Sequence, residues 1–193
     1  KGRNAYEEKR ECLFGELGAR SEELGVNSQL STHNSQLKIG LPRCLNLFEE
    51  YPFWHALFTR LGFQVIQSPE SDHALYASGQ RTIPSDTACY PAKLMHGHVE
   101  WLLRQNVDAI FYPCMSYNLD EHRGDNHYNC PVVAYYPEVL RLNVPGLKRT
   151  RFISDYLGIH RPKDFEKKFP AILDKYFPGI PAREVKAAVR GAY

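Results

Sequence analysis

Short apolar runs alternate with longer amphipathic stretches along the chain from Lys38 onward. Strands are predicted over residues 38–42 and 63–67, where the runs LKIGLP and FQVI are short and apolar. Between them, large apolar residues recur at spacings of four and three, as on one face of a helix; these are Leu47, Tyr51, Trp54, Phe58 and Leu61. Gly62 follows where a helix C-cap is expected. The pattern predicts a strand–helix–strand unit.

The same order repeats further along the chain. A second helix is predicted from Pro91, since proline is tolerated in a first helical turn, to a stop near Asn106. The apolar runs DAIFYP and PVVAYY predict strands over 108–112 and 131–136, and RFIS is a further strand candidate. Strands that alternate with long helices favour parallel pairing through right-handed crossovers. The sequence therefore predicts an α/β fold, a Rossmann-like three-layer sandwich with a mainly parallel sheet.

The first 37 residues differ in composition from the rest. Residues 1–20 carry mixed charge, and residues 21–37 are rich in Ser, Asn and Gln, as in a linker. We therefore divide the chain into a charged leader and linker, 1–37, and a Rossmann-like domain, 38–193. The chain starts without Met and ends in a helix-like run, REVKAAVRGAY. We expect it to be a fragment of a longer chain.

Composition narrows the classes of function. Hydrophobic residues make up 43% and charged residues 24% of the 193 residues, which is typical of a globular domain. The 24 basic and 22 acidic residues are interspersed, giving a net charge of +2, so a nucleic-acid partner is not expected. No run reaches the roughly 18 apolar residues of a membrane helix, and no secretion signal is visible. Five cysteines in a chain of this kind favour a reduced, cytoplasmic setting and metal or redox chemistry.

Three cysteines occupy positions that suit a ligand site. Cys114 directly follows the predicted strand DAIFYP, and ligands of parallel sheets bind beyond the carboxyl ends of strands. Cys89 lies at the predicted start of the helix at Pro91, where the helix dipole favours a thiolate. Cys130 ends the long loop 115–129. If a strand began at residue 131, Cys130 would lie at the opposite edge of the sheet unless the loop carried it back.

Other interpretations of these residues remain open. Free cysteines are often buried as small apolar side chains, and this structural interpretation is preferred for Cys12 and Cys44. His96 and His98 diverge on a helix because only one residue separates them, and His98 is interpreted as a core histidine with its hydrogen bonds satisfied.

A mixed zinc site is one alternative for the long loop. Cys114, His122, His127 and Cys130 have the residue types of a Cys₂His₂ site, although their spacing matches no standard finger. The acidic residues of the loop, Asp120, Glu121 and Asp125, are interpreted as solvated. The chain has no GxGxxG, GxxxxGK[ST] or GxSxG motif, so nucleotide-binding and serine-hydrolase functions lack their signatures.

A resemblance to a known family is carried by the segments IGLPRCLNLFEEYPFWHALFTRLGFQV, TIPSDTACYPAKLMHGHVEWLL, IFYPC and DNHYNCPVVAYYPEVL. Over roughly residues 38–190, the chain resembles the domain of unknown function of acyl-CoA dehydratase activase-related proteins. In that family the domain accompanies ATPase modules like the activator of 2-hydroxyglutaryl-CoA dehydratase, and modules like the dehydratase itself.

The resemblance implies a Rossmann-like domain that binds an iron–sulfur cluster of the [4Fe–4S] type, which the isolated domain can lose. Cys89 in CYPAK and Cys114 in YPC are similar to dehydratase-type cluster cysteines. Cys130 is added to this ligand set on the HYNCP pattern alone, and Cys44 is left out because alanine is expected there in relatives. Three ligands leave one iron open.

The function implied is a cluster-binding and electron-transfer module of an ATP-dependent activator of the 2-hydroxyacyl-CoA dehydratase type. Its expected partners are ATPase activase domains and dehydratase-like domains of the same full-length chain. The piece lacks an ATPase motif and a second dehydratase-like domain, so it is not a complete enzyme alone. The alternatives are a docking module with structural or zinc-binding cysteines, and a CoA-ester-binding domain that uses Lys93, Arg123 and a helix N-terminus.

Overall fold

The computed structural model describes residues 37–120, 122 and 124–193. Its strands are β1 (Lys38–Leu41), β2 (Gln64–Gln67), β3 (Ala109–Phe111) and β4 (Arg151–Ile153). The α-helices of the described residues are α1 (Leu45–Glu49), α2 (Tyr51–Arg60), α3 (His73–Gly79), α4 (Tyr90–Leu103), α5 (Pro131–Asn143), α6 (Pro162–Tyr176) and α7 (Ala182–Ala192). The leader and linker predicted over 1–37 lie outside the described residues, apart from Leu37, and stay a prediction.

The four strands form one parallel sheet in the order β2-β1-β3-β4. Ile39 of β1 is in register with Val65 of β2 on one side and with Ala109 of β3 on the other. The chain therefore moves from β1 in one direction to β2 and then returns past β1 to β3. With right-handed crossovers this order places helices on both faces of the sheet. The predicted α/β, Rossmann-like sandwich is confirmed.

The helices form two groups around the sheet. On one side α7 packs against both α2 and α6, and aromatic rings fill the space beneath them; Trp54 lies 4.6 Å from Phe111 between ring centroids. On the other side α3 packs closely against α4. A Cβ added to Gly97 would stand 2.1 Å from the carbonyl oxygen of Leu75, and one added to Gly79 would stand 2.2 Å from the backbone nitrogen of Gly97. Only glycine permits this approach of the two helices.

Three predicted strands are confirmed with slightly shorter bounds, and the helix ends agree with their predicted stops. Gly62 has a φ of 84° after α2, and Asn106 has a φ of 51° after α4, both in the left-handed region. The strand candidate RFIS is β4. None of the helices in the described part of the chain combines the length and apolar character needed to cross a membrane.

The strand predicted over 131–136 is wrong, because this segment opens helix α5. Cys130 is its N-cap, Pro131 stands in its first turn, and its buried residues recur at helical spacing; they are Ala134, Tyr136, Pro137 and Leu140. The run of β-branched and aromatic residues has strand-like composition, but the proline in the first turn and the helical burial period outweigh it. The fourth strand of the sheet is β4 instead.

Candidate functional site

The four cysteines in the described part of the chain lie at the carboxyl edge of the sheet. Cys44 follows the last residue of β1 by three positions, and Cys114 follows the last residue of β3 by three. Cys89 is the N-cap of α4, and Cys130 is the N-cap of α5. Both helices lead into the next parallel strand, so their N-termini must lie at the carboxyl edge. β1 and β3 are the neighbouring strands where the winding direction reverses, which is the usual ligand position in such sheets.

The helical start at residue 131 resolves the difficulty with Cys130. A strand beginning there would have placed Cys130 at the amino edge, away from Cys89 and Cys114. Because α5 instead runs back across the sheet toward β4, its N-cap lies at the carboxyl edge without any help from the loop.

Cys44 and Cys89 are neighbours. The Cys44 thiol donates a hydrogen bond to the carbonyl oxygen of Pro91 at 3.2 Å, in the first turn of the helix that Cys89 caps. Burial raises the pKa of Cys44 to about 12, and the charge of a Cys89 thiolate contributes to this rise. Cys44 is 5% exposed, whereas Cys89 is exposed to solvent.

Cys114 is held in the sheet extension beyond β3. Its N–H donates to the Asp155 carbonyl at 3.1 Å, and its own carbonyl accepts from Leu157 N–H at 3.0 Å. Burial raises the pKa of the Cys114 thiol to about 11, and the charge of Glu138 on α5 raises it as well. A side-chain hydrogen bond joins Cys114 to Tyr156. The thiol is therefore protonated near neutral pH.

Cys89 and Cys130 have nearly the same backbone geometry. Cys89 has φ −62° and ψ 152°, and Cys130 has φ −62° and ψ 154°. A proline stands in the first turn of each of the two helices. The Cys130 sulfur accepts a hydrogen bond from Val133 N–H at 3.4 Å, so it caps its own helix. Both thiols are exposed, and both lie where a helix dipole favours an anion.

Two buried tyrosines lie among these cysteines. Burial raises the pKa of Tyr112 well above its ordinary value, and the neighbouring groups that raise it further are Cys44, Cys114, Tyr136 and Cys130. Burial also raises the pKa of Tyr136 to about 12, with contributions from Cys89 and Cys44. Each of the four cysteines is thus an electrostatic neighbour of at least one of the two phenol groups. We call the four cysteines together with Tyr112 the thiol site.

The Tyr136 hydroxyl is already committed to a hydrogen bond. Thr82 Oγ1 donates its hydrogen to the Gly79 carbonyl at 2.8 Å, so it can only accept from His96 Nδ1, 2.7 Å away. His96 Nε2 must then be the acceptor of the Tyr136 hydroxyl at 3.0 Å. Burial lowers the pKa of His96 to about 4, which keeps this ring neutral.

A second network lies beside β2. His98 is fully buried, with Nδ1 2.7 Å from Ser68 Oγ and Nε2 2.9 Å from Ser71 Oγ. Ser68 Oγ also accepts from Arg43 N–H at 2.7 Å. Burial lowers the pKa of His98 to about 4, and the charge of Arg43 lowers it further. We call Ser68, Ser71 and His98 the serine–histidine network. It agrees with the interpretation of His98 as a satisfied core histidine, and His96 and His98 do diverge to different partners.

The histidines of the long loop bind a carboxylate in this structure. His122 Nδ1 and His127 Nε2 lie 3.4 and 3.3 Å from the same oxygen of Asp120. Within residues 37–120, 122 and 124–193, no three His, Cys, Asp or Glu side chains are grouped so that they could hold one metal ion. The Cys₂His₂ combination with Cys114 and Cys130 is therefore not assembled here.

The alternative of a CoA-ester-binding domain named Lys93 and Arg123 as phosphate-binding residues. Lys93 Nζ donates to the Asp86 carbonyl at 2.7 Å, and Arg123 lies outside the described residues. A cavity of about 280 Å³ does open beside Cys44, and it is lined by Arg43, Cys44, Leu45, Phe48, Glu70 and Ser71. Arg43 pairs with Glu70 across 3.2 Å at this cavity.

The sequence analysis interpreted Cys44 as a structural cysteine and did not single out Tyr112. Cys44 stands at the same offset from β1 as Cys114 does from β3, and this equal spacing was the available signal. Nothing in the sequence distinguishes Tyr112 from the apolar residues of the run DAIFYP, because its importance depends on which groups surround its hydroxyl.

Comparison with curated proteins and with solved structures gives no significant match. A family model described as the CoA enzyme activase uncharacterised domain (DUF2229) matches residues 38–193. This range covers the sheet, its flanking helices and all four cysteines described above. The resemblance inferred from the segments around Cys89, Cys114 and Cys130 is thereby confirmed, and the chain belongs to the family of the CoA enzyme activase uncharacterised domain.

Proposed function

We propose that this domain is an iron–sulfur cluster-binding and electron-transfer module that works with ATP-driven activase domains and dehydratase-like domains. The observation that carries the proposal is the gathering of thiols at the switch point of the sheet. Four segments far apart in sequence each supply one cysteine to this edge; these are Cys44, Cys89, Cys114 and Cys130.

The donor set suits a cluster better than a single ion. Thiolates are soft ligands that hold iron–sulfur clusters. In a cluster each thiolate binds a different iron, so the sulfurs stand further apart than around one ion. The lack of a three-residue group for one ion among the described residues is compatible with this larger arrangement. A [4Fe–4S] cluster, when bound, accepts and releases one electron at low potential.

The three proposed cysteine ligands differ in their exposure to solvent. Cys114 is 1% exposed and supplies a ligand from inside the domain, where water is excluded. Cys89 and Cys130 supply ligands from exposed helix N-caps, where the helix dipole stabilises negative charge. Each thiol releases a proton when it becomes a ligand. The buried Cys114 thiol therefore needs the metal to drive its ionisation. We assign Cys89, Cys114 and Cys130 as ligands.

The test is iron retention in the full-length protein produced without oxygen. The wild type is expected to contain iron and inorganic sulfide and to show the visible absorption of an iron–sulfur protein. Cys89→Ala and Cys114→Ala are each expected to lose most of the iron, since each removes a ligand. Cys44→Ala is the matched control, because it removes a buried thiol at the same edge that is outside the proposed ligand set, and it is expected to retain iron.

A docking function at the same edge is the second candidate, and it rests on exposed aromatic side chains. Tyr90 is 55% exposed beside Cys89, Tyr128 is 70% exposed near Cys130, and Tyr156 is 61% exposed next to Cys114. Exposed aromatic residues are enriched in protein interfaces. Unchanged iron content in both Cys89→Ala and Cys114→Ala, or iron-free wild-type protein, would favour docking with structural cysteines over cluster binding.

A further inference from the structure

The phenol hydroxyl of Tyr112 is buried without a hydrogen-bond partner. Tyr112 is 0% exposed, and its Oη finds no donor or acceptor among the described residues. Its backbone is fixed, because its N–H donates to the Ile153 carbonyl at 3.0 Å as an extension of β3. An unpaired buried hydroxyl is costly compared with phenylalanine, which would fill the same space. Such a group calls for a partner, and residues 37–120, 122 and 124–193 do not supply one.

The neighbours of this hydroxyl are the thiols of the candidate site. Tyr112 stands two residues before Cys114, and the charges of Cys44, Cys114 and Cys130 are all felt at its phenol group. Tyr136 is also close, but no hydrogen bond joins its hydroxyl to that of Tyr112, and its own hydrogen goes to His96 Nε2 at 3.0 Å. A phenol hydroxyl carries one hydrogen that it can donate. Apart from Tyr136, the neighbouring groups that influence this phenol are thiols, so sulfur atoms are the acceptors available around it.

We infer that Tyr112 donates its O–H to a sulfur of the group that Cys89, Cys114 and Cys130 hold, as a positioning residue that stabilises the reduced form. This inference rests on the proposed function. Reduction adds negative charge to the bound group, and a hydrogen bond to sulfur strengthens as that charge grows. Hydrogen bonds to sulfur are among the factors that set the potentials of iron–sulfur clusters.

The first experiment compares wild type with Tyr112→Phe in the anaerobically produced full-length protein. Iron and sulfide content is expected to stay the same, since no ligand is removed. At one fixed potential, the ratio of reduced to oxidised protein is expected to fall by a factor of about three to ten, the size of one lost hydrogen bond. The ratio is read from the electron paramagnetic resonance signal. Tyr135→Phe is the matched control, because Tyr135 is a tyrosine on α5 that is 48% exposed, and it is expected to leave the ratio unchanged.

Equal ratios in wild type and Tyr112→Phe, with iron retained in both, overturn the inference and leave the proposed function standing. Wild-type protein without iron overturns both. A second measurement uses the iron-free protein, in which the unfolding equilibrium constant of Tyr112→Phe is expected to equal that of wild type or to be smaller. An increase of about tenfold or more would mean that the hydroxyl already has a partner within the protein, and it would also overturn the inference.

Discussion

Two polar clusters occupy neighbouring positions at the carboxyl edge of the sheet, and they differ in completeness. In the serine–histidine network, both ring nitrogens of His98 and the oxygen of Ser68 have partners at 2.7–2.9 Å. In the thiol site, the hydroxyl of Tyr112 has none within the described part of the chain. A buried cluster whose polar atoms all form hydrogen bonds with one another stabilises the fold, whereas a buried donor without a hydrogen-bond partner needs an explanation outside the cluster. This difference in hydrogen bonding distinguishes the structural role of the serine–histidine network from the binding role that we propose for the thiol site.

The largest effect we expect concerns thiol reactivity within the thiol site. Because the pKa of Cys44 is about 12 instead of 9.0, its thiolate fraction at about pH 8 is about a thousandfold lower than that of an ordinary cysteine. In the iron-free native protein, Cys44 is therefore expected to react with iodoacetamide at least that much more slowly than in urea. The exposed Cys130 is the internal control. Peptide mass spectrometry over a time course measures both rates.

Rapid labelling of Cys44 in the native protein would contradict the view that the thiol site is closed to water. It would mean that the thiol site is open to water throughout, and that an unpaired Tyr112 hydroxyl could simply be hydrated.

A smaller effect is expected from acid on the serine–histidine network. His98 has a pKa lowered from 6.5 to about 4 in the folded protein, so the unfolded chain binds the extra proton first as the pH falls. The stability that neutral His98 contributes is full above about pH 6.5 and is lost between about pH 6.5 and 4, up to about 3 kcal/mol. His96 is expected to act in the same window and direction. Urea unfolding at several pH values measures the slope.

The variant His98→Asn removes one of the groups whose titration makes the free energy of unfolding depend on pH. We expect its free energy of unfolding to depend less steeply on pH than that of the wild type, whatever its stability at neutral pH. An unchanged slope would mean that His98 is not held neutral in the folded protein. It would contradict the interpretation of the serine–histidine network as a purely structural cluster.

The smallest effect distinguishes the two clusters most directly. Ser68→Ala leaves the Arg43 N–H and one nitrogen of His98 without their partner, so we expect a loss of about 1–3 kcal/mol in the free energy of unfolding. Tyr112→Phe in iron-free protein removes no bond and is expected to lose nothing. Equal losses in the two variants, measured in parallel urea titrations, would erase the difference between a satisfied and an unsatisfied cluster.

The sequence predicted the fold class because apolar periodicity repeats with the same order of elements. It failed at residues 131–136, where VVAYY has strand composition and the proline after Cys130 was given too little weight. Cys89 could be singled out by its place at a helix start and Cys114 by its place after a strand, whereas Cys130 was included only on the HYNCP pattern that ends the long loop. The role of Tyr112 could not, since an unpaired hydroxyl is a property of three-dimensional surroundings. Cys44 was set aside on the expected residue in relatives, although its spacing from β1 matches that of Cys114 from β3.

The matching backbone torsions at Cys89 and Cys130 have a consequence for the entropy of binding. Both residues are held extended at the start of a helix by the fold itself, with φ −62° and ψ 152° or 154°. Fixing the backbone of one residue costs about 1–2 kcal/mol of conformational entropy, and at both cysteines this cost belongs to the formation of α4 and α5. Small zinc fingers, by contrast, are ordered by their metal. For the cluster we propose, the backbone order at these two ligands would therefore come from helix formation and not from the binding energy.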